Sequence, residues 1–238
     1  MSLDLLRRSD ALEIMDDLNC SGAVVYRTLV ELEIINKWLG GNAVTIQGLH
    51  MLLKNSSQQS ISSLAIADLG CGGGDMLKRV ANEFKKKKLA ATFTGIDANV
   101  NIIEYAQKNS EAYPEIQYKA LDIFSEEFSA EYYDIVFATL FFHHFSNNRL
   151  VEVFKRLKKQ VKVGIVVNDL HRHWLAYYSI KILTKFFSKS SMVKYDAPLS
   201  VLRGFRKKEL IEILQKAGIE TYSLKWKWAF RWQVIIYC

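Results

Sequence analysis

The stretch that most constrains the fold is IADLGCGGGDMLKRV, residues 66 to 80. An apolar run ends at Asp68 and Leu69, glycines follow at 70, 72, 73 and 74, and an amphipathic pattern opens at Asp75. A strand that turns into a helix over so few side chains lets a ligand approach the backbone with no Cβ in the way and can aim amide groups at it. Two phosphate-binding versions of the turn do not fit. Counted from Gly70 and Gly72, a dinucleotide fingerprint meets Asp75 where its last glycine belongs, and the Gly-Lys-Ser/Thr ending of a P-loop is missing. Asp75 is expected to cap the helix that follows.

From residue 64 onward, short apolar runs alternate with longer helical patterns, the signature of βαβ units and a mostly parallel sheet. Strands are predicted near 64–69, 92–97, 116–121, 133–139 and 162–168, with helices near 75–88, 99–109 and 147–159. Residues 170–204 are aromatic and basic and lack a strand. KKELIEILQKAG then reads as a helix closed by Gly218, and IETYSLKW and AFRWQVIIYC as an antiparallel terminal pair. Upstream, residues 1 to about 40 read as helical from Leu12, Met15 and Leu18 and from Leu29, Leu32, Ile35 and Leu39, with Gly40 and Gly41 as the stop. The polar stretch 54–63 reads as a linker. The expected organisation is an N-terminal helical cap over 1–55 and a main domain over 56–238 with a helical lid inserted at about 170–205.

A chain of 238 residues is long enough for one α/β domain with an appendage. Cys20, Cys71 and Cys238 are odd in number, scattered and without CxxC spacing, which suggests neither a disulfide framework nor a zinc site and fits a reducing cytoplasm. The first residues do not read as a secretion signal, and no run reaches the 18 or so apolar residues of a membrane span. The net charge of +7 raises nucleic acid as a partner. Its densest cluster, the four lysines 85–88, ends a predicted helix, where cations oppose the negative dipole end.

The pattern DxGxGxG formed by Asp68, Gly70, Gly72 and Gly74 resembles motif I of the class I S-adenosylmethionine-dependent methyltransferases, in their small-molecule branch. The resemblance implies a Rossmann-like α/β fold with a seven-stranded sheet of order 3-2-1-4-5-7-6 and strand 7 antiparallel. It also implies S-adenosylmethionine as cofactor and S-adenosylhomocysteine as product. Asp68 would reach the cationic amino group, an acid that would repel pyrophosphate, while Gly70, Cys71, Gly72 and Gly74 make room for the chain and ribose. Asp97, with Ala98 after it, ends the second strand, where a carboxylate can accept from both ribose hydroxyls; a dehydrogenase would want an acid there too. Asp122 and the amide of Ile123 would take the adenine, and the DIVFA strand would bring Ala138 and Thr139 beside the sulfonium. The FFHHF segment that follows is similar to a stretch common in small-molecule members. More weakly, the layout resembles bacterial methyltransferases associated with polyketide or phenolic-lipid synthesis.

Methyl transfer requires an aligned acceptor and often a base. His143 and His144 follow the fourth strand at the sheet edge where open α/β folds bind ligands, and a packing or capping role is their structural alternative. VVNDLHRHWLAYY adds Asn168, Asp169, His171, Arg172 and His173 at the same edge. His171 or His173 could be the base and Arg172 an anchor for an oxyanion, or the group could be a polar strand end with a cap. Asn168 and Asp169 stand where catechol-type methyltransferases hold a metal. Ala138 and Thr139 supply no matching carboxylate, so no metal is expected. In 171–205, Trp174, Tyr177, Tyr178, Phe186 and Phe187 accompany Lys181, Lys185, Lys189 and Lys194. Such a segment packs as core with solvated lysines, or meets an anionic membrane or lipid-like substrate. The expected activity is methylation of a small aromatic or lipid-like acceptor at oxygen. The alternatives are carbon methylation of a quinone precursor and a non-catalytic cofactor-binding module. Nucleic-acid methylation is disfavoured, because ATLFF replaces the Asp/Asn-Pro-Pro-aromatic motif of base-amino methylation and no Lys-Asp-Lys-Glu set can be assembled.

Overall fold

The computed structural model describes residues 4–55 and 63–238. Seven strands form one sheet in the order β3-β2-β1-β4-β5-β7-β6. They are β1 (Leu64–Leu69), β2 (Ala91–Asp97), β3 (Ile116–Ala120), β4 (Tyr133–Thr139), β5 (Val161–Leu170), β6 (Tyr222–Lys227) and β7 (Arg231–Tyr237). Strands β1 to β5 pair parallel, and β7 runs antiparallel between β5 and β6. The central strands carry nearly unbroken apolar runs because helices cover both faces. On one face, Leu150, Val153, Phe154 and Leu157 of α6 (Asn147–Gln160) and Leu210, Ile213 and Leu214 of α9 (Lys207–Lys216) join the core. On the other, α2 (Gly41–Asn55) and α3 (Asp75–Lys86) bury Leu49, Leu52, Leu77, Val80 and Phe84 against Ile66, Ile135 and Val166. Each such side chain contributes about 1.5–3 kcal/mol.

Local chemistry sets the boundaries. Lys85 and Lys86 close α3 against its dipole. Asn99 caps α4 (Val100–Asn109), its side chain accepting from the amides of Asn101 and Ile102. Ser125 and Ser146 cap the short α5 (Glu126–Ser129) and α6 in the same manner. Among the described residues no helix is long and apolar enough to cross a membrane.

The N-terminal third departs from the periodicity reading. Leu12, Met15 and Leu18 do not share a helix; only Ile14–Asp16 makes a 3-10 turn, and the first helix is α1 (Ala23–Trp38). Helix α1 ends just before Gly40, as the glycine stop predicts, but Gly41 already opens a further helix, α2, which runs through residue 54, the expected start of the linker. Of that linker, residues 56–62 lie outside the described residues. Because α2 packs on β5 and β7, it belongs to the sheet's helical layer rather than to a cap. The cover over the sheet edge consists of residues 4–38 together with α7 (Trp174–Phe187) and α8 (Ser191–Arg203). Asp196 of α8 accepts from the amides of Ile14 and Met15, at 2.8 and 3.2 Å, and Thr28 of α1 bonds Ser190 at 2.7 Å. Asp75 is not the cap of α3: Gly74 holds that position, and Asp75 pairs with Lys78 at 3.0 Å.

Candidate active site

The carboxyl ends of β1, β2, β4 and β5 converge beneath the cover. Gly70, Gly72 and Gly74 all have positive φ, as the turn out of β1 demands. At two of them a neighbour also approaches. A Cβ on Gly70 would lie 2.1 Å from the Phe141 ring, and one on Gly74 would lie 2.1 Å from the Tyr118 hydroxyl. Beside Gly72, by contrast, only Leu29 comes within 4 Å, which leaves a hollow a side chain would fill. The turn's amides do not point outward as the sequence suggested. Those of Gly70 and Cys71 donate to the Ile96 carbonyl, that of Gly74 to Cys71, and that of Gly72 to Asp97 Oδ2 at 3.3 Å.

Acids stand at or just past the ends of β1, β2 and β3. Asp68 is buried, and no hydrogen bond from a described residue reaches its side chain. Desolvation, and then the charge of Asp97, push its pKa well above the ordinary value. Asp97 is raised by burial too, although the amides of Asn99 and Gly72 counter this. Asp122 is exposed and accepts from the Phe124 amide at 2.9 Å, while Ile123 beside it is buried. Ala98 is half-buried after β2, and Cys71 is buried in the turn. Ala138 is buried in β4, and the Thr139 hydroxyl bonds that of Thr45 at 2.8 Å. Asn168 donates to Thr45 and to the Gly41 carbonyl, so Thr139 and Asn168 fasten the start of α2 to the sheet edge.

The four candidate histidines fall into two groups with no hydrogen bond, ion pair or ring contact between them among the described residues. His143 Nδ1 meets Asp169 Oδ1 at 2.8 Å, and its Nε2 lies 3.6 Å from Glu13 Oε1. His144 Nδ1 meets Asp16 Oδ1 at 2.5 Å. Burial would raise Asp16 and Asp169. Hydrogen bonds from His144 and Arg203 hold the first below the ordinary carboxylate range, and the charge and hydrogen bond of His143 hold the second there. Both acids thus accept, and each Nδ1 carries the proton. His143 is fully enclosed. His144 is partly open, and its ring lies 6.5 Å from that of Phe141, the ring that covers Gly70.

The second group faces elsewhere. His171 accepts from Trp226 at 3.2 Å and is lowered to about 4, mainly by burial. His173 caps α7 by accepting from the Leu175 amide, and stacks on Phe230. Arg172 offers no donor to an acceptor: its guanidinium bonds Glu209 twice and the carbonyls of Leu5, Leu6 and Gly204. That buried clamp corrects the anchor reading. Glu13, His143 and His144 each bring one ligating atom within 4.8 Å of the others, a metal-sized arrangement. The Arg203 guanidinium, 3.5 Å from Glu13 Oε1, already supplies the positive charge there.

Glu13, Asp16, Arg203 and Phe141 were not singled out from the sequence as site residues. Asp16 sits in a visible Met-Asp-Asp run, yet its pairing depends on a cover whose path the helical periodicity misplaced.

This sheet order, glycine turn and set of strand-end acids define the class I methyltransferase fold. Residues 66–164 match a family described as a methyltransferase domain. A comparison with curated proteins returns no match. Solved structures share the fold at low identity. Human N-acetylserotonin methyltransferase in complex with S-adenosylmethionine superposes with TM-score 0.61 at 12% identity, over 90% of this chain and 56% of that one. The plantazolicin methyltransferase BpumL with S-adenosylhomocysteine gives 0.56 at 18%, over 89% of each. The CMeT domain of the citrinin polyketide synthase gives 0.59 at 15%, over 79% of this chain and 50% of that one. This chain thus spans about half the length of some structures it matches. Residues 66–164 are therefore similar to a methyltransferase domain, and the chain shares the fold of these structures.

Proposed function

We propose that the chain binds S-adenosylmethionine in the hollow beside Gly72 and transfers a methyl group to a hydroxyl of a small-molecule acceptor. The observation that carries this reading is Asp68, a buried carboxylate without a hydrogen-bond donor, next to a second acid, the half-buried Asp97. A cationic ligand relieves both. S-adenosylmethionine, when bound, supplies a methyl group on a sulfonium, an electrophile that needs an aligned nucleophile. Asp68 would hold the ammonium, Asp97 the ribose hydroxyls, and Asp122 with the Ile123 amide the adenine. Ala138 and Thr139 would flank the sulfonium. The turn from Gly70 to Gly74 leaves the backbone room.

His144 is the base this arrangement favours. Asp16 fixes its Nδ1 proton, so Nε2 carries the lone pair that takes a hydroxyl proton. His143, enclosed between Asp169 and Glu13, positions the segment, while His171 and His173 belong to an aromatic packing cluster. Neighbours that act on N-acetylserotonin and on plantazolicin precursors support a small or peptide-derived acceptor.

The test is transfer of labelled methyl from S-adenosylmethionine into a small-molecule extract. Wild type labels a product whose methyl is on oxygen, and Gly72→Asp labels none. His144→Gln keeps cofactor affinity and slows transfer by about a hundredfold. Unchanged rate in His144→Gln removes the base, and label on carbon or in nucleic acid removes the acceptor class.

A further inference from the structure

We propose that α7 is a docking face for an anionic lipid bilayer, a property independent of the methyl-transfer reading. Helix α7 packs on α8 through one side, where Ala176 and Thr184 are buried. Its other side is exposed and apolar: Trp174, Tyr178, Ile182 and Phe186 recur every fourth residue, joined by Leu175, with Phe187 at the helix end. Phe186 and Phe187 are 72% and 74% exposed, unusual for such residues unless something covers them. Over 14 residues, about 21 Å, the row is long enough to lie in the plane of a membrane surface.

Charge decides the occupant. Residues 170–195 contain no aspartate or glutamate. Lys181 and Lys185 border the apolar row, their ammonium groups 5.4 and 5.9 Å from the rings of Tyr177 and Phe186, and Lys189 follows the helix. Glu31, which α1 brings to the end of α7, is engaged by the Ser188 hydroxyl and by the amides of Lys189 and Ser190. A second copy docked face to face would set lysines against lysines with no acid between them. An anionic headgroup layer complements the lysines, accepts the apolar row beneath it, and suits Trp and Tyr at the boundary.

Co-sedimentation with vesicles tests this on the intact chain. Wild type should pellet with phosphatidylglycerol vesicles, not with phosphatidylcholine vesicles, and should be released by salt. The double variants Ile182→Asp/Phe186→Asp and Lys181→Glu/Lys185→Glu should each lower the bound fraction about tenfold or more, with the wild-type melting midpoint kept. Three results overturn the proposal: no pelleting with phosphatidylglycerol, equal pelleting with phosphatidylcholine, or full binding by the aspartate variant. A wild-type dimer in analytical ultracentrifugation that the aspartate variant dissolves would assign the face to a second copy instead.

Discussion

Buried ionisable side chains concentrate where β1, β2, β4 and β5 end, and they respond to pH in opposite directions. Burial raises Glu13 to about 7. A carboxyl whose folded pKa exceeds its unfolded value favours the folded chain most below the unfolded pKa, about 4.3, and loses that contribution as pH rises through 7. His171, lowered to about 4, works the other way: its contribution is present above about 6.5 and is lost as pH falls. Only a difference between variants isolates either group. Relative to wild type, Glu13→Gln should gain about 2 kcal/mol of stability between pH of about 5 and about 8, read by urea unfolding at each pH; a flat difference would contradict the raised carboxyl. The positions of Asp68, Asp97 and Asp122 at strand ends were legible in the sequence because each lies in the last two residues of a recognisable strand or just beyond one. The roles of Glu13 and Asp16 were not, since nothing local fixes where a non-helical segment crosses the sheet.

Among the elements, β1 to β5 and helices α3, α4 and α6 were readable to within a residue or two, because covered parallel strands are largely apolar, whereas the short α5 was not read and β6 begins three residues later than expected. Helix α2 was missed: its buried side mixes Gly41, Thr45 and Gly48 with Val44, Leu49 and Leu52, which blurs the periodicity. The small residues serve packing. A Cβ on Gly164 of β5 would fall 2.6 Å from Leu52 of α2 and 2.3 Å from the Ile236 carbonyl of β7, a backbone atom fixed by the sheet. Gly164→Ala should lower stability by about 2–3 kcal/mol and the melting midpoint by several degrees. An unchanged midpoint would mean that α2 does not press on β5. Arg172 shows the opposite failure, since an arginine at a strand end looks like an anion ligand until Glu209 and three carbonyls are placed around it.

For the molecule as a whole, the sheet supplies the hollow and the cover completes it. Residues 4–38, α7 and α8 hang together through Asp196, Thr28 and Glu31, and they deliver Asp16 to His144. In the proposed reading, cofactor recognition belongs to the sheet edge, while base chemistry depends on the cover. On the proposed reading, the hollow beside Gly72 takes a cationic sulfonium nucleoside rather than a phosphate-bearing one. Titration calorimetry with S-adenosylmethionine and with NAD separates the two ligands. S-adenosylmethionine alone should bind, about ten- to a hundredfold more weakly in Asp68→Asn with the fold unchanged. Binding of NAD, or undiminished affinity for S-adenosylmethionine in Asp68→Asn, would contradict it.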